Sequence, residues 1–259
     1  MFDLRDRVAL VTGAGRGIGK TIARVLAECG MLVGINDYNA DSAENAAQEL
    51  LSAGLRCLAV PGDVSNKADA GAMIGKVEAE LGPIWLLVNN AGVHNTAPTA
   101  ELSEEAWDRA LDVDAKGVFL CSQAAIRVMT PRHAGRIVNF ASIAGVIVRT
   151  NQIAYGSAKA AVVHFTRSLA VEMAPNGITV NCICPGMTST EMLREIAVQR
   201  NLDLDAMVAL IPSGRMAKEE DHAHLVIYFA SDEAAQVTGQ VVAVDGAQSL
   251  FMPLSAVRI

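Results

Sequence analysis

Val8-Ala-Leu-Val-Thr12 leads into Gly13-Ala-Gly-Arg-Gly-Ile-Gly19, and apolar positions recur behind it from Ile22 to Cys29. A short apolar strand, a glycine-rich turn and an apolar-periodic helix, in that order, place phosphates on a helix N-terminus. The glycines fall at 13, 15, 17 and 19, as G-xxx-G-x-G with Gly15 added, which is not GxGxxG. Small residues here let the backbone approach a pyrophosphate and let the helix pack on the strand. An ordinary glycine-rich turn is the competing reading. The strand before it and the helix after it favour a cofactor.

Working outward, Leu32 to Asn36 reads as a second strand that ends on Asp37. A carboxylate about twenty residues past such glycines hydrogen-bonds an adenosine ribose. It also repels a 2′-phosphate, which favours NAD over NADP. Arg16 argues the other way, because a cation in the glycine turn can meet that phosphate. Tyr38 adds no second basic group. Further strands are expected at 57–61, 84–88, 136–141, 179–184 and 240–244. Helical patterns over 41–53, 67–81, 104–129, 154–174 and 218–231 alternate with them. Alternation of this kind predicts an α/β chain with a parallel sheet covered on both faces. Asp63-Val64 closes the third strand, where the acid either caps a turn or touches adenine. Asn89-Asn-Ala-Gly92 ends the fourth and suits a cofactor edge. The polar, helical stretch at about 188–216 reads as a lid.

Composition bounds the function. Hydrophobic residues are 51% and charged residues 19%, enough for a core and against disorder. A formal net charge of −7, with no Lys/Arg block, argues against nucleic acid and anionic membrane as partners. The start of the chain lacks an apolar h-region, so no secretory signal is expected. Five cysteines without a CxxC suggest a reducing compartment, hence cytoplasm, with buried inert thiols and no metal set. His222 and His224, two apart on a helix, have poor metal geometry.

A second stretch carries the chemistry. Strand 136–141 runs into Ser142, and Tyr155-Gly-Ser-Ala-Lys159 opens a helix. At i and i+4, Tyr155 and Lys159 share one helix face. A free tyrosine titrates near pKa ~10, and a neighbouring ammonium favours its phenolate. Ser142 would hold a substrate oxygen in register with the phenol. Surface packing is the competing reading of a YxxxK pair taken alone.

TGAGRGIG at 12–19, Asp37, Asp63-Val64, NNAG at 89–92, Ser142, YGSAK at 155–159, Pro185-Gly186 and TGQVVAVDG at 238–246 occur in that order. With them the chain resembles the short-chain dehydrogenase/reductase family over essentially its whole length. The resemblance implies a single Rossmann-type domain, a doubly wound parallel sheet with helices on both faces. It also implies an enzyme that moves hydride between a nicotinamide and a carbinol or carbonyl carbon. Tyr155 resembles the acid/base and Ser142 the substrate-oxygen ligand. Lys159 resembles the group that activates the tyrosine and binds the nicotinamide ribose. Gly13, Arg16, Gly17, Ile18 and Gly19 match the pyrophosphate turn, and Asp37 the ribose contact. Asp63 and Val64 match the adenine site; Asn90, Ala91 and Gly92 match the strand-four edge. Pro185, Gly186, Thr188 and Thr190 match the nicotinamide and pyrophosphate side. Asp114, in Val113-Asp-Ala-Lys-Gly117, stands where the family usually has a catalytic Asn that holds a helix irregularity. An ionised Asp114 cannot donate as an amide does, and near Lys159 it would partly cancel the activating charge.

His94, Ala144, Gln152 and Met187 are the candidate substrate contacts. They suit a polyol, sugar or hydroxy acid, although a backbone-bonded loop role for His94 competes. The resulting expectation is an NAD(H)-dependent alcohol, polyol or sugar dehydrogenase. An NADPH-dependent carbonyl or 3-oxoacyl reductase, and a weakly catalytic nicotinamide-binding protein, are the alternatives. A homotetramer is implied by the resemblance. Apolar positions on helices 104–129 and 154–174, including Val118, Phe119, Val163 and Phe165, read as surplus to one sheet contact.

Overall fold

The computed structural model of the chain describes residues 2–190, 193, 197 and 203–251. Seven strands form one sheet: β1 (Val8–Val11), β2 (Leu32–Ile35), β3 (Cys57–Ala59), β4 (Ile84–Asn89), β5 (Gly135–Phe140), β6 (Ile178–Pro185) and β7 (Val241–Val244). Every pairing is parallel, in the order β3-β2-β1-β4-β5-β6-β7. A parallel sheet is covered on both faces, which is why β1 and β4 up to Val88 are apolar rather than alternating.

The two-residue period sorts those strands between two cores. Ala9 and Val11 pack with Leu86, Val88, Val138 and Phe140 on one face. There they meet helix α1 (Gly17–Glu28) through Ile22 and Leu26, and α2 (Ala40–Ser52) through Ala46 and Leu50. Val8 and Leu10 turn to the other face with Leu87, Ile137 and Val180. That face is closed by α3 (Lys67–Glu80), α5 (Gly117–Met129) and α6 (Ile153–Met173), through Met73, Leu120 and Leu169. Trp85 lies between the guanidinium groups of Arg7 and Arg136, 4.1 and 4.5 Å from its ring centroid, and ties the first face to the Asp232 turn.

Chain direction reverses beside β1. The chain winds outward to β2 and β3 on one side, then crosses to β4 and continues to β7 on the other. At such a switch point the carboxyl ends of adjacent strands diverge and leave a crevice.

The helical pattern over 104–129 is not one helix. α4 (Glu104–Leu111) and α5 are joined by a π-helical turn at Asp112–Lys116, in which the Gly117 N–H reaches back to the Asp112 carbonyl. One extra residue per turn rotates Asp114 inward, where it is fully buried. The apolar surplus is also smaller than expected. Val118 and Val163 are buried within the chain, beside Ala141, Ile143 and Cys182. Phe119 remains 44% exposed and meets the half-buried Phe165 edge-on at 6.4 Å.

Of the expected lid at 188–216, residues 191, 192, 194–196 and 198–202 lie outside the described residues. Its two ends are tied together by a bridge from Thr188 to Ala217, and a short helix α7 (Leu204–Val208) follows the gap. Helix α8 (Glu219–Ala230) then packs against α1 and leads to β7. Among the described residues no helix is long and apolar enough to cross a membrane.

Candidate active site

The site grows from the N-terminus of α1. Asn39, Asn66 and Ser103 cap α2, α3 and α4 with side-chain oxygens. Arg16, at the N-cap of α1, provides no side-chain acceptor, and the first turn of α1 carries no acid. Free N–H donors and the positive end of the helix dipole are therefore available to an anion.

The turn before α1 is clamped to β4. The Asn90 amide donates to the carbonyls of Thr12 and Gly13 at 3.0 and 3.1 Å. Thr12 Oγ1 accepts the N–H groups of Asn90 and Ala91, both at 3.0 Å. Gly13 has φ +61°, and a Cβ there would sit 2.7 Å from the Ala91 Cα. Gly17 has φ +58°, yet a Cβ on it would meet nothing within 4 Å, because it faces the cleft. These two glycines do different work: one permits the clamp, the other leaves room for a ligand.

The cleft encloses about 600 Å³ and is lined by the expected cofactor residues, from Gly13, Arg16, Gly17, Ile18 and Gly19 to Asp37, Asp63 and Val64. Asn90, Ala91, Gly92, Pro185, Gly186, Thr188 and Thr190 line it as well. Asp37 is only 9% exposed. One of its oxygens accepts the Gly15 N–H at 3.3 Å and the other the Asn39 N–H at 3.0 Å. A carboxylate has about four acceptor sites, so capacity toward a ribose remains. The Asp63 side chain caps the turn, accepting the amide and hydroxyl of Ser65 at 2.9 and 2.7 Å. Burial raises the Asp63 pKa, but those bonds outweigh it and hold the carboxyl below its usual range. On the far wall, Thr188 Oγ1 lies 2.9 Å from His222 Nε2. Burial pushes that imidazole down to about 4, so it is neutral at physiological pH. The set fits a dinucleotide: an open helix N-terminus for its pyrophosphate, a glycine without neighbours beside it, and an acceptor at the end of β2.

Ser142, Tyr155 and Lys159 meet at one wall of this cleft. Ser142 follows β5, and its Oγ accepts the Ala144 N–H at 3.1 Å, capping a short 3-10 turn at Ile143–Gly145. A Cβ on Gly145 would lie 2.6 Å from the Lys159 carbonyl carbon, so that turn packs directly on α6. Lys159 is 3% exposed. Its Nζ donates to the Phe140 carbonyl at 3.1 Å, sits 5.7 Å from the Tyr155 ring centroid and lies 3.6 Å from Asp114 Oδ2. Asp114 Oδ1 accepts the Val93 N–H at 2.7 Å. Burial depresses the Lys159 ammonium, but the charges of Asp114 and Tyr155 outweigh it and hold the group protonated. Burial raises the Asp114 carboxyl, and Lys159 and the Val93 N–H offset that only in part.

A smaller compartment of about 170 Å³ opens beside Ser142 and Tyr155. His94, Ala144, Gln152 and Met187 all line it. The His94 ring stands edge-on to Tyr155 with centroids 4.7 Å apart, and its Nε2 is 3.3 Å from Gln152 Nε2. Sequence reasoning missed Arg149, which lines this compartment. A signal existed: Arg149 is the one charged residue between Ser142 and Tyr155. It also missed Arg109 and Val93 in the larger cleft.

The chain is similar to known proteins over most of its length. The sequence pattern of the family described as short chain dehydrogenase matches residues 7–201. The chain is 40% identical to the (2S)-[(R)-hydroxy(phenyl)methyl]succinyl-CoA dehydrogenase subunit BbsD of Thauera aromatica, covering 96% of this chain and 98% of that one. It is 41% identical to cis-4-hydroxycyclohexanecarboxylate dehydrogenase of Sinomonas cyclohexanicum, covering 93% and 96%. Among solved structures, a gluconate 5-dehydrogenase from Burkholderia cenocepacia in complex with NADP and tartrate superposes with a TM-score of 0.91. Its identity is 34%, with 97% and 98% of the two chains covered.

Proposed function

The chain belongs to the short-chain dehydrogenase family, as an oxidoreductase acting on alcohol or carbonyl groups, and from that premise we propose that it interconverts a secondary alcohol and its ketone with NAD(H). The substrate class is a polyol, a sugar or a hydroxy acid. The convergence of Ser142, Tyr155 and the buried Lys159 beside an uncapped helix N-terminus carries the reading.

The nicotinamide, when bound, takes up or supplies the hydride. The residues of this chain do the rest. The Tyr155 hydroxyl gives or takes the proton at the substrate oxygen, and Ser142 Oγ hydrogen-bonds that oxygen. Lys159, charged and fixed by the Phe140 carbonyl, faces the Tyr155 ring and would bind the nicotinamide ribose. Gly13, Arg16, Gly17, Ile18 and Gly19 hold the pyrophosphate; Asp37 takes the adenosine ribose; Asp63 and Val64 flank the adenine. Asn90, Ala91, Gly92, Pro185, Gly186, Thr188 and Thr190 shape the remaining walls. Asp114 keeps its π turn closed against Val93. His94, Ala144, Gln152 and Met187 border the substrate.

NADH is expected to bind at least about tenfold more tightly than NADPH, because Asp37 accepts ribose hydroxyls and repels a 2′-phosphate. Hydrogen bonds to charged groups contribute ~1.5–3 kcal/mol, which sets that scale. Fluorescence titration of both reduced cofactors reads it directly. An NADPH-dependent carbonyl reductase is the second reading. Arg16 favours it, being an exposed cation that lines the cleft and whose guanidinium makes no hydrogen bond or ion pair among the described residues. Equal affinities, or tighter NADPH, would decide for that reading.

In solution the chain forms a homotetramer. The 44% exposed Phe119 and the 79% exposed Val171 on α6 remain uncovered in the single chain. Light scattering at micromolar concentration should give four times the chain mass, and a lone 27.3 kDa species would refute the assembly. The compartment is the cytoplasm, on the cysteine usage described above.

A further inference from the structure

We propose that Arg149 anchors a carboxylate of the substrate, so that the enzyme acts on hydroxy acids and the matching oxo acids in preference to neutral alcohols. The inference rests on the dehydrogenase reading and narrows it. Arg149 lines the compartment of about 170 Å³ together with Ser142, Gln152 and Tyr155, and is absent from the lining of the larger cleft. It therefore shares a compartment with Ser142 and Tyr155 and with Pro185 and Gly186 at the nicotinamide end, apart from the glycine turn, Asp37 and Asp63.

Its lack of a partner is the second observation. Among the described residues, every other buried or half-buried arginine faces a carboxylate: Arg7 and Arg136 meet Asp232, and Arg24 meets Glu28 and Glu220. Arg149 is half-buried and makes no hydrogen bond or ion pair among the described residues. Burial disfavours its charge, which Tyr155 offsets only in part. A guanidinium remains protonated under such a penalty, so the cost calls for an anion rather than for neutralisation. Its planar fork matches a carboxylate through two parallel N–H···O bonds. Gln152 and His94, 3.3 Å apart across the same compartment, add polar groups that can bind a second oxygen. A net charge of −7 means that no general positive field draws acids to this cleft, so the selectivity is local.

The test is a panel of straight-chain and cyclic hydroxy acids, each beside its methyl ester, assayed with wild type, Arg149→Gln and Arg149→Lys. NADH titration reports whether each variant is folded. In wild type an acid should exceed its ester in kcat/KM. In Arg149→Gln that acid-to-ester ratio should fall by about ten- to a hundredfold, through KM for the acid. Arg149→Lys should restore part of it, since a point charge replaces the fork. Equal losses for acid and ester, or an unchanged ratio in folded Arg149→Gln, would overturn the proposal. So would a wild type that turns over neutral alcohols and no acid. If no panel member reacts while NADH binds, the dehydrogenase reading falls, and this inference with it.

Discussion

Tyr155→Phe is expected to lower kcat by at least about 10²–10⁴-fold while leaving NADH affinity nearly intact. That is the range over which a positioned acid or base acts, and each factor of ten is ~1.36 kcal/mol of barrier. The ring itself should stay in place. His94 packs edge-on against it at 4.7 Å, and Lys159 lies 5.7 Å from its centroid, neither contact requiring the hydroxyl. The change thus removes the transferable proton and little else. Steady-state turnover beside a fluorescence titration separates the two effects. Full activity in the variant would overturn the acid/base assignment of Tyr155.

Lys159→Met should damage stability as well as turnover. Asp114 is fully buried, and Lys159 is its one cationic neighbour within salt-bridge distance among the described residues. Removing one member of a buried pair leaves the other uncompensated, at a cost of about 3–5 kcal/mol. For a chain of this size each kcal/mol moves Tm by roughly 2–4 °C, so the melting temperature should fall by roughly 6–20 °C. Adding Asp114→Asn to that variant should recover much of the loss. The amide oxygen can still accept the Val93 N–H, while the buried charge is gone. Calorimetry of the single and double variants checks this, and no recovery would mean that Asp114 is uncharged beside Lys159. In the otherwise unaltered enzyme, Asp114→Asn should move the rising limb of the pH–rate profile to lower pH. It removes a negative charge 3.6 Å from the Lys159 ammonium, which faces the Tyr155 ring. An unshifted limb would remove the charge-coupling argument.

Local signals made the sheet and the first half of the cleft legible. Strands such as Val8–Val11 and Ile84–Asn89 are apolar runs closed by glycine or amide residues, and caps such as Asn39 and Asn66 mark helix starts. Tyr155 and Lys159 fall on one face by i, i+4 spacing alone, which holds in any α-helix. Ser142 joined them because a parallel sheet brings strand ends to a common edge.

Tertiary structure decided what depends on distant neighbours. Helical periodicity across 104–129 says which side is apolar, but a π turn needs only one added residue. Asp114 turned inward because the Val93 N–H and Lys159, from two other segments, receive it there. Asp37 and Asp63 read as ligand groups, yet each first satisfies backbone N–H groups of its own turn, a commitment set by loop conformation. Val118 and Val163 read as surplus until the residue after β5, Ala141, and Cys182 of β6 came to cover them. Arg149 stood out only as the one charged residue between Ser142 and Tyr155, and its direction stayed open because a loop residue has no face until the chain on either side is folded. Sequence by itself determined the elements, their alternation and the Tyr155–Lys159 face, all of which are short-range properties of the backbone. Burial, ion pairing and the meeting of Arg149 with the Ser142–Tyr155 wall came only from folding, since each depends on groups far apart in the chain.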